Sequence, residues 1–160
     1  MTQAFLKTKE VPIDGIPVTI TQLSGLERLD FMEYCSSISE PERPIKPDDG
    51  ASEIEQDNYL IELNKYTQQW FRINFIVQAR LVAYGYREGE IDIDARQEQI
   101  MSMMTPEQVA SLHNEIASFS GLPVPAQEET APSDGSETTT TTETATTEET
   151  TAQEPTDPKV

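Results

Sequence analysis

The sequence is short of nearly everything that a catalytic or membrane protein needs. A single cysteine, Cys35, in 160 residues excludes an internal disulfide and leaves no zinc ligand set. His113 is the one histidine, and no Gly-x-Ser-x-Gly, no phosphate-cradling glycine loop and no His-Glu-x-x-His accompanies it. Nucleophilic, phosphoryl-transfer and zinc-hydrolase chemistries lack their parts, so neither an enzyme nor a cofactor is expected. Cations are scarce as well: 11 Lys plus Arg stand against 29 Asp plus Glu, a formal charge of -18. Such a surface repels phosphate backbones and anionic membrane faces, which removes nucleic acid and membrane from the expected partners. The most apolar stretch, Trp70 to Tyr84, is too short to span a bilayer and carries Arg72 and Arg80. The start is charged by Lys7 and has no cleavage-site pattern of a secretory signal, which points to the cytosol.

What the sequence does contain falls into two parts. Residues 122–160 hold 12 Thr and 9 acids against one Lys, with no aromatic residue. A segment of that composition cannot bury enough apolar surface to offset the entropy of ordering it. The expected fold is therefore mainly α: a small helical domain with an N-terminal β-hairpin over residues 1–121, followed by a disordered acidic Thr/Glu-rich tail over 122–160.

Within the first part, two extended segments, Ala4 to Val11 and Ile16 to Thr21, flank Asp14-Gly15, a pair that tolerates the positive φ of a tight hairpin. Ile16, Val18 and Ile20 alternate with polar or turn residues, which predicts one apolar face, while Pro12 and Pro17 suit an edge or ribbon. Ser24 and Glu27 make a capping box for a first helix from Gly25 to Ser37, closed by the Pro-rich run Pro41 to Pro47. Ser52 and Glu55 make a second box, ahead of a long stripe through Tyr59, Leu63, Tyr66, Trp70, Ile73, Val77, Leu81 and Tyr84. From Trp70 on, added apolar residues predict the buried centre of the domain, with Gly85 as C-cap. Asp94 is placed at the start of a short helix carrying Ile100, Met103 and Met104. Thr105, Pro106 and Gln108 then supply an N-cap, a first-position proline and a capping residue for a last helix lined by Val109, Leu112, Ile116 and Phe119.

Each feature that suggests chemistry has a plainer reading beside it. His113 sits among polar neighbours and reads as a solvated helix residue. The pairs Asp48-Asp49 and Asp92/Asp94 offer oxygens to a hard cation, yet neither follows a calcium-loop spacing, so solvated loops are expected. Met101, Met103 and Met104 suit an adaptable binding face or simply core filling. The aromatic group Tyr59, Tyr66, Trp70 and Phe71 packs a core in the plain reading and forms a client-contact stripe in the sharper one, with Tyr59 and Tyr66 the best candidates for exposure.

The ordered series Phe5-Leu6-Lys7-Thr8, Asp14-Gly15, Val18-Thr19-Ile20 and Leu23-Ser24-Gly25-Leu26-Glu27-Arg28 resembles the start of the lambda-like tail assembly chaperones of long-tailed phages, the shorter product of their frameshifting gene pair. The likeness covers about the first thirty residues closely; beyond them it lies in the layout of helices, an aromatic central helix and an acidic tail. It implies a chaperone that binds the tape-measure protein, with a frameshifted longer form recruiting the tail tube protein, and self-association left open. It also implies action in the host cell cytoplasm and absence from the mature virion. Asp157, Pro158 and Lys159 admit codons holding a C-CCA-AAG heptamer that permits a one-base backward slip, unlike the Gly-Lys slip of the lambda case. A competing expectation from charge alone is an acidic DNA mimic that inhibits a host nuclease or DNA-binding protein.

Overall fold

The computed structural model describes residues 5–89 and 92–124; the expected acidic tail and the codon positions Asp157, Pro158 and Lys159 lie outside them. The fold is mainly helical with an N-terminal antiparallel hairpin. Strand β1 (Thr8–Ile13) pairs with β2 (Ile16–Thr21), and the register Ile13↔Ile16 leaves Asp14 and Gly15 as the turn. Both turn residues have positive φ, 49° and 79°, the geometry expected of Asp-Gly. The first strand is displaced from the expected Ala4–Val11. A two-residue turn forces Pro12 and Ile13 into pairing, and beyond Thr8↔Thr21 the ladder frays: Gln22 N–H still donates to Lys7 O at 2.9 Å, but Lys7 N–H donates to the Gln22 side chain instead of its backbone. The apolar face fades toward the turn: Ile20 is fully buried and Val18 partly so, while Ile16 is 64% exposed.

Helix α1 (Gly25–Ser37) opens on the Ser24/Glu27 capping box, and α2 (Glu53–Gly85) on the Ser52/Glu55 box. In each, the serine Oγ accepts the third amide and the glutamate accepts the serine amide, so two otherwise orphaned donors are satisfied. Helix α3 (Ile93–Met103) begins earlier than the expected Asp94, because Asp92 is the cap: its Oδ2 accepts the Ala95 amide at 3.0 Å. Helix α4 (Pro106–Phe119) has the expected Thr105 cap and Gln108 partner. It ends in a left-handed Gly121 (φ 71°), with Leu122 N–H bonded to Ala117 O and Gly121 N–H to Ser118 O. This paired closure satisfies the last carbonyls and turns Leu122 back onto the core.

The core lies between the C-terminal end of α2 and α4, closed on one side by the hairpin. Leu81, Val82, Val109, Leu112 and Ile116 are fully buried together with Ile20 and Leu23. The hairpin is fixed to α4 by polar contacts: Lys9 Nζ pairs with Glu115 at 2.9 Å, and Leu23 N–H donates to Ser120 Oγ at 3.0 Å. Gln108 Nε2 reaches Asp14 Oδ2 at 2.7 Å. Gly85 is a correction to the C-cap expectation. It is the last helical residue, Tyr86 caps the helix, and Gly85 lacks positive φ. Its role is steric, since a Cβ there would stand 2.6–2.8 Å from three side-chain atoms of Ile116.

Candidate functional site

Burial in α2 starts late. From Glu53 to Gln78 no side chain is fully buried; the buried run begins at Ala79. The expectation that the buried centre starts at Trp70 is thus displaced by two to three turns, because α4 and the hairpin cover only the last turns of α2. At 1.5 Å per residue the whole helix is about 50 Å long, and its N-terminal half is left with one cover, the Pro-rich segment 38–51. That segment runs antiparallel along the helix as a strap. Ile38 lies beside Trp70, Ile73 and Val77; Pro41 to Ile45 lie beside Glu62, Tyr66 and Gln69; Pro47 lies beside Tyr59 and Leu60. Among the described residues, one hydrogen bond joins the strap to α2, Gln56 Nε2 to Ala51 O at 3.1 Å at its C-terminal end; packing holds residues 38–50, with a cleft of about 640 Å³ beneath Pro41–Ile45. Three prolines in the strap, Pro41, Pro44 and Pro47, limit what it loses on ordering.

The aromatic candidates divide between two faces. Tyr59, Tyr66 and Trp70 share the face under the strap and are half-buried, with the Tyr66 and Trp70 rings edge-on at 6.3 Å. Phe71 points elsewhere and is 63% exposed, beside Phe75 and the Pro106 end of α4. Here it is joined by residues that the aromatic stripe had drawn attention away from: Ile54, Leu60 and Ile61 are 73%, 60% and 54% exposed. With 3.6 residues per turn, Leu60, Ile61 and Phe71 fall on one side of the helix, with Asn64 and Gln68 between them. The signal was available in the sequence, since Ile54 and Ile61 are spaced by two turns and lie off the Tyr59–Leu63–Tyr66 line.

Helix α1 adds a second apolar strip. It has no buried residue; Leu26, Leu29 and Met32, the positions that mark it as a helix, are 58–69% exposed, while Phe31 and Tyr34 make its partial contacts. The helix is held instead by its polar ends. Arg87 donates to both Glu27 oxygens at 2.9 and 3.0 Å. Gln97, buried on α3, donates to Tyr34 Oη at 3.1 Å and Ile76 O at 2.9 Å, and accepts from Arg80 Nη1 at 3.0 Å. The Arg80 guanidinium lies over the Tyr34 ring at 4.5 Å and pairs with Asp94. Gln97 was recoverable from spacing: it takes the interior slot between Ile93 and Ile100 on α3, where an apolar residue is the norm.

The remaining sequence candidates have structural placements. Asp92 caps α3 and Asp94 holds Arg80, while Asp48 and Asp49 are exposed. His113 is half-buried rather than solvated; burial pushes its pKa down, opposed by the contact with Asn114 at 3.1 Å. Cys35 is half-buried beside Ile38 and Trp70, which pushes its thiol up and away from the reactive thiolate. Met101 and Met104 pack on the core and Met103 is 57% exposed. No helix among the described residues is long and apolar enough to cross a membrane. The arrangement is thus one of uncovered apolar helix faces on a polar-pinned scaffold.

The model of the bacteriophage lambda tail assembly chaperone, TAC, protein G, matches residues 4–141. Neither a curated protein nor a solved structure matches the chain.

Proposed function

Since the chain belongs to the lambda tail assembly chaperone family, we propose that its task is to bind the phage tape-measure protein and hold it soluble while the tail tube assembles around it. The observation that carries this reading is the set of uncovered apolar side chains on α1 and on the N-terminal half of α2. Large apolar side chains gathered on one side of a helix and left in water offer a partner a surface to cover, and a chaperone for a long helical client needs such a surface. Phe71 belongs to it, with Leu60 and Ile61. Tyr59, Tyr66 and Trp70 serve it from behind by seating the strap that stiffens the projecting helix. The role is binding without catalysis. The large negative charge keeps a loaded complex dispersed.

In the same reading the chain acts in the host cell cytoplasm, is absent from the mature virion, and is the short form of a programmed frameshift pair that slips at the codons for Asp157, Pro158 and Lys159. The longer form carries a further domain that recruits the tail tube protein, and residues 122–160 space the two. The test is co-expression of the tagged full chain with the tape-measure protein of the same phage. Soluble tape-measure protein recovered with the tag supports the proposal; tape-measure protein that stays insoluble and uncaptured contradicts it.

A further inference from the structure

Between Glu62 and Glu88 the sequence contains no acid, although acids outnumber bases by 29 to 11 in the whole chain. The acid-free stretch carries Lys65, Arg72, Arg80 and Arg87. Arg80 and Arg87 are used internally, paired with Asp94 and Glu27. Lys65 and Arg72 are not: both are exposed, and among the described residues neither forms an ion pair or a hydrogen bond. They are spaced by two turns, roughly 10 Å along α2, on the same side, with Gln68 and Gln69 completing a shallow depression of about 300 Å³. That cationic edge borders the face formed by Leu60, Ile61 and Phe71. Acids do approach this face at its two ends, Asp57 one turn before Leu60 and Ile61 and Glu107 beside Phe71, but along its central turns, from Leu63 to Phe71, α2 carries no acid and two free cations rim it.

Resting on the reading of this face as the client site, we propose that its occupant is an amphipathic helix with acidic flanks. Its apolar stripe lies over Leu60, Ile61 and Phe71, and its carboxylates, spaced by two turns, meet Lys65 and Arg72. Rim charges of this kind govern which partner is accepted and in which register more than how tightly it is held. The site therefore selects anionic helical segments against the basic ones that the overall charge would otherwise collect. The chain's own acidic C-terminal segment offers the charge without the apolar stripe, so it satisfies only half of the site.

The full chain should be titrated, by fluorescence anisotropy at low ionic strength, with two synthetic helices of about 20 residues. They share one leucine stripe and differ in flanks, glutamate in one and lysine in the other. A third peptide of Glu and Thr has no apolar residue. The expected result is that the glutamate-flanked helix binds about tenfold more tightly than the lysine-flanked one, since each exposed ion pair contributes modestly and each like-charge contact opposes, and that the ratio shrinks with salt. The double variant K65E/R72E should invert the preference. Preference of the parent chain for the lysine-flanked helix, equal binding of the Glu/Thr peptide, binding of neither helix, or an unchanged preference in the double variant would each overturn the proposal. If these fail while the parent chain still captures the tape-measure protein, only the charge rule is lost. If capture fails while the preference and its inversion stand, the charge rule holds for another client and the function proposed above falls.

Discussion

Replacing Leu60, Ile61 and Phe71 together by Gln should lower recovery of the tape-measure protein with the chain by at least about tenfold, with the melting midpoint nearly unchanged. The three side chains are 54–63% exposed, so trimming their apolar character opens no cavity and breaks no core contact. Gln is a good helix former, which leaves α2 with little propensity loss. In the complex the same side chains become buried. Full burial of a Leu, Ile or Phe is worth about 1.5–3 kcal/mol, and only part of that survives as binding free energy after ordering and desolvation. Half of one such burial already reaches most of the 1.4 kcal/mol that makes a tenfold change, and three residues act together. Quantified co-purification beside a circular-dichroism melt checks it: unchanged recovery would place the client elsewhere, and a collapsed melt would show that the face is structural.

Gly85→Val is the opposite case, with a large stability effect and no contact with the client face. The site is buried, and even the first added carbon stands 2.6–2.8 Å from Ile116. Neither side has room to yield: Gly85 lies on the α2 backbone, and Ile116 is enclosed by the central packing of α4. Overpacking of this kind costs about 1–3 kcal/mol, which for a domain of this size lowers the melting midpoint by about 4 °C per kcal/mol. Shortening the neighbour should restore part of the loss, because the two positions share one volume and their effects do not add. Thermal melts of Gly85→Val, Ile116→Ala and the double variant measure this; strictly additive losses would refute the steric role assigned to Gly85.

These two residues also mark how far the sequence could be read. Helix starts were legible because caps are local: Ser24, Ser52 and Thr105 each need only a partner three residues on, and all three boxes form. The hairpin was legible from Asp14-Gly15, although its register was settled by the turn and not by the apolar run. Gly85 was misread as a C-cap because a glycine at a helix end carries one local signal, and a neighbour from α4 has none in the sequence. Periodicity located the long helix and its Tyr59–Trp70 side correctly, but it is blind to which apolar stripe the rest of the fold will cover. Leu26, Leu29 and Met32 recur at helical spacing and lie open to water, while His113 looks solvated and is half-buried. The membership in the chaperone family, by contrast, was carried by the order of short motifs in the first thirty residues, where the hairpin and the α1 cap lie.

The central claim is that apolar helix faces left open by the fold receive the tape-measure protein. Amides over residues 54–72 of α2 and 26–32 of α1 lie where buried contacts are few, so they should open and exchange readily in the chain alone. Hydrogen–deuterium exchange of the full chain, alone and in complex with the tape-measure protein, tests this most directly. Slowed exchange concentrated in those two segments is the predicted result; slowed exchange confined to the hairpin and α4, or none anywhere, would contradict it.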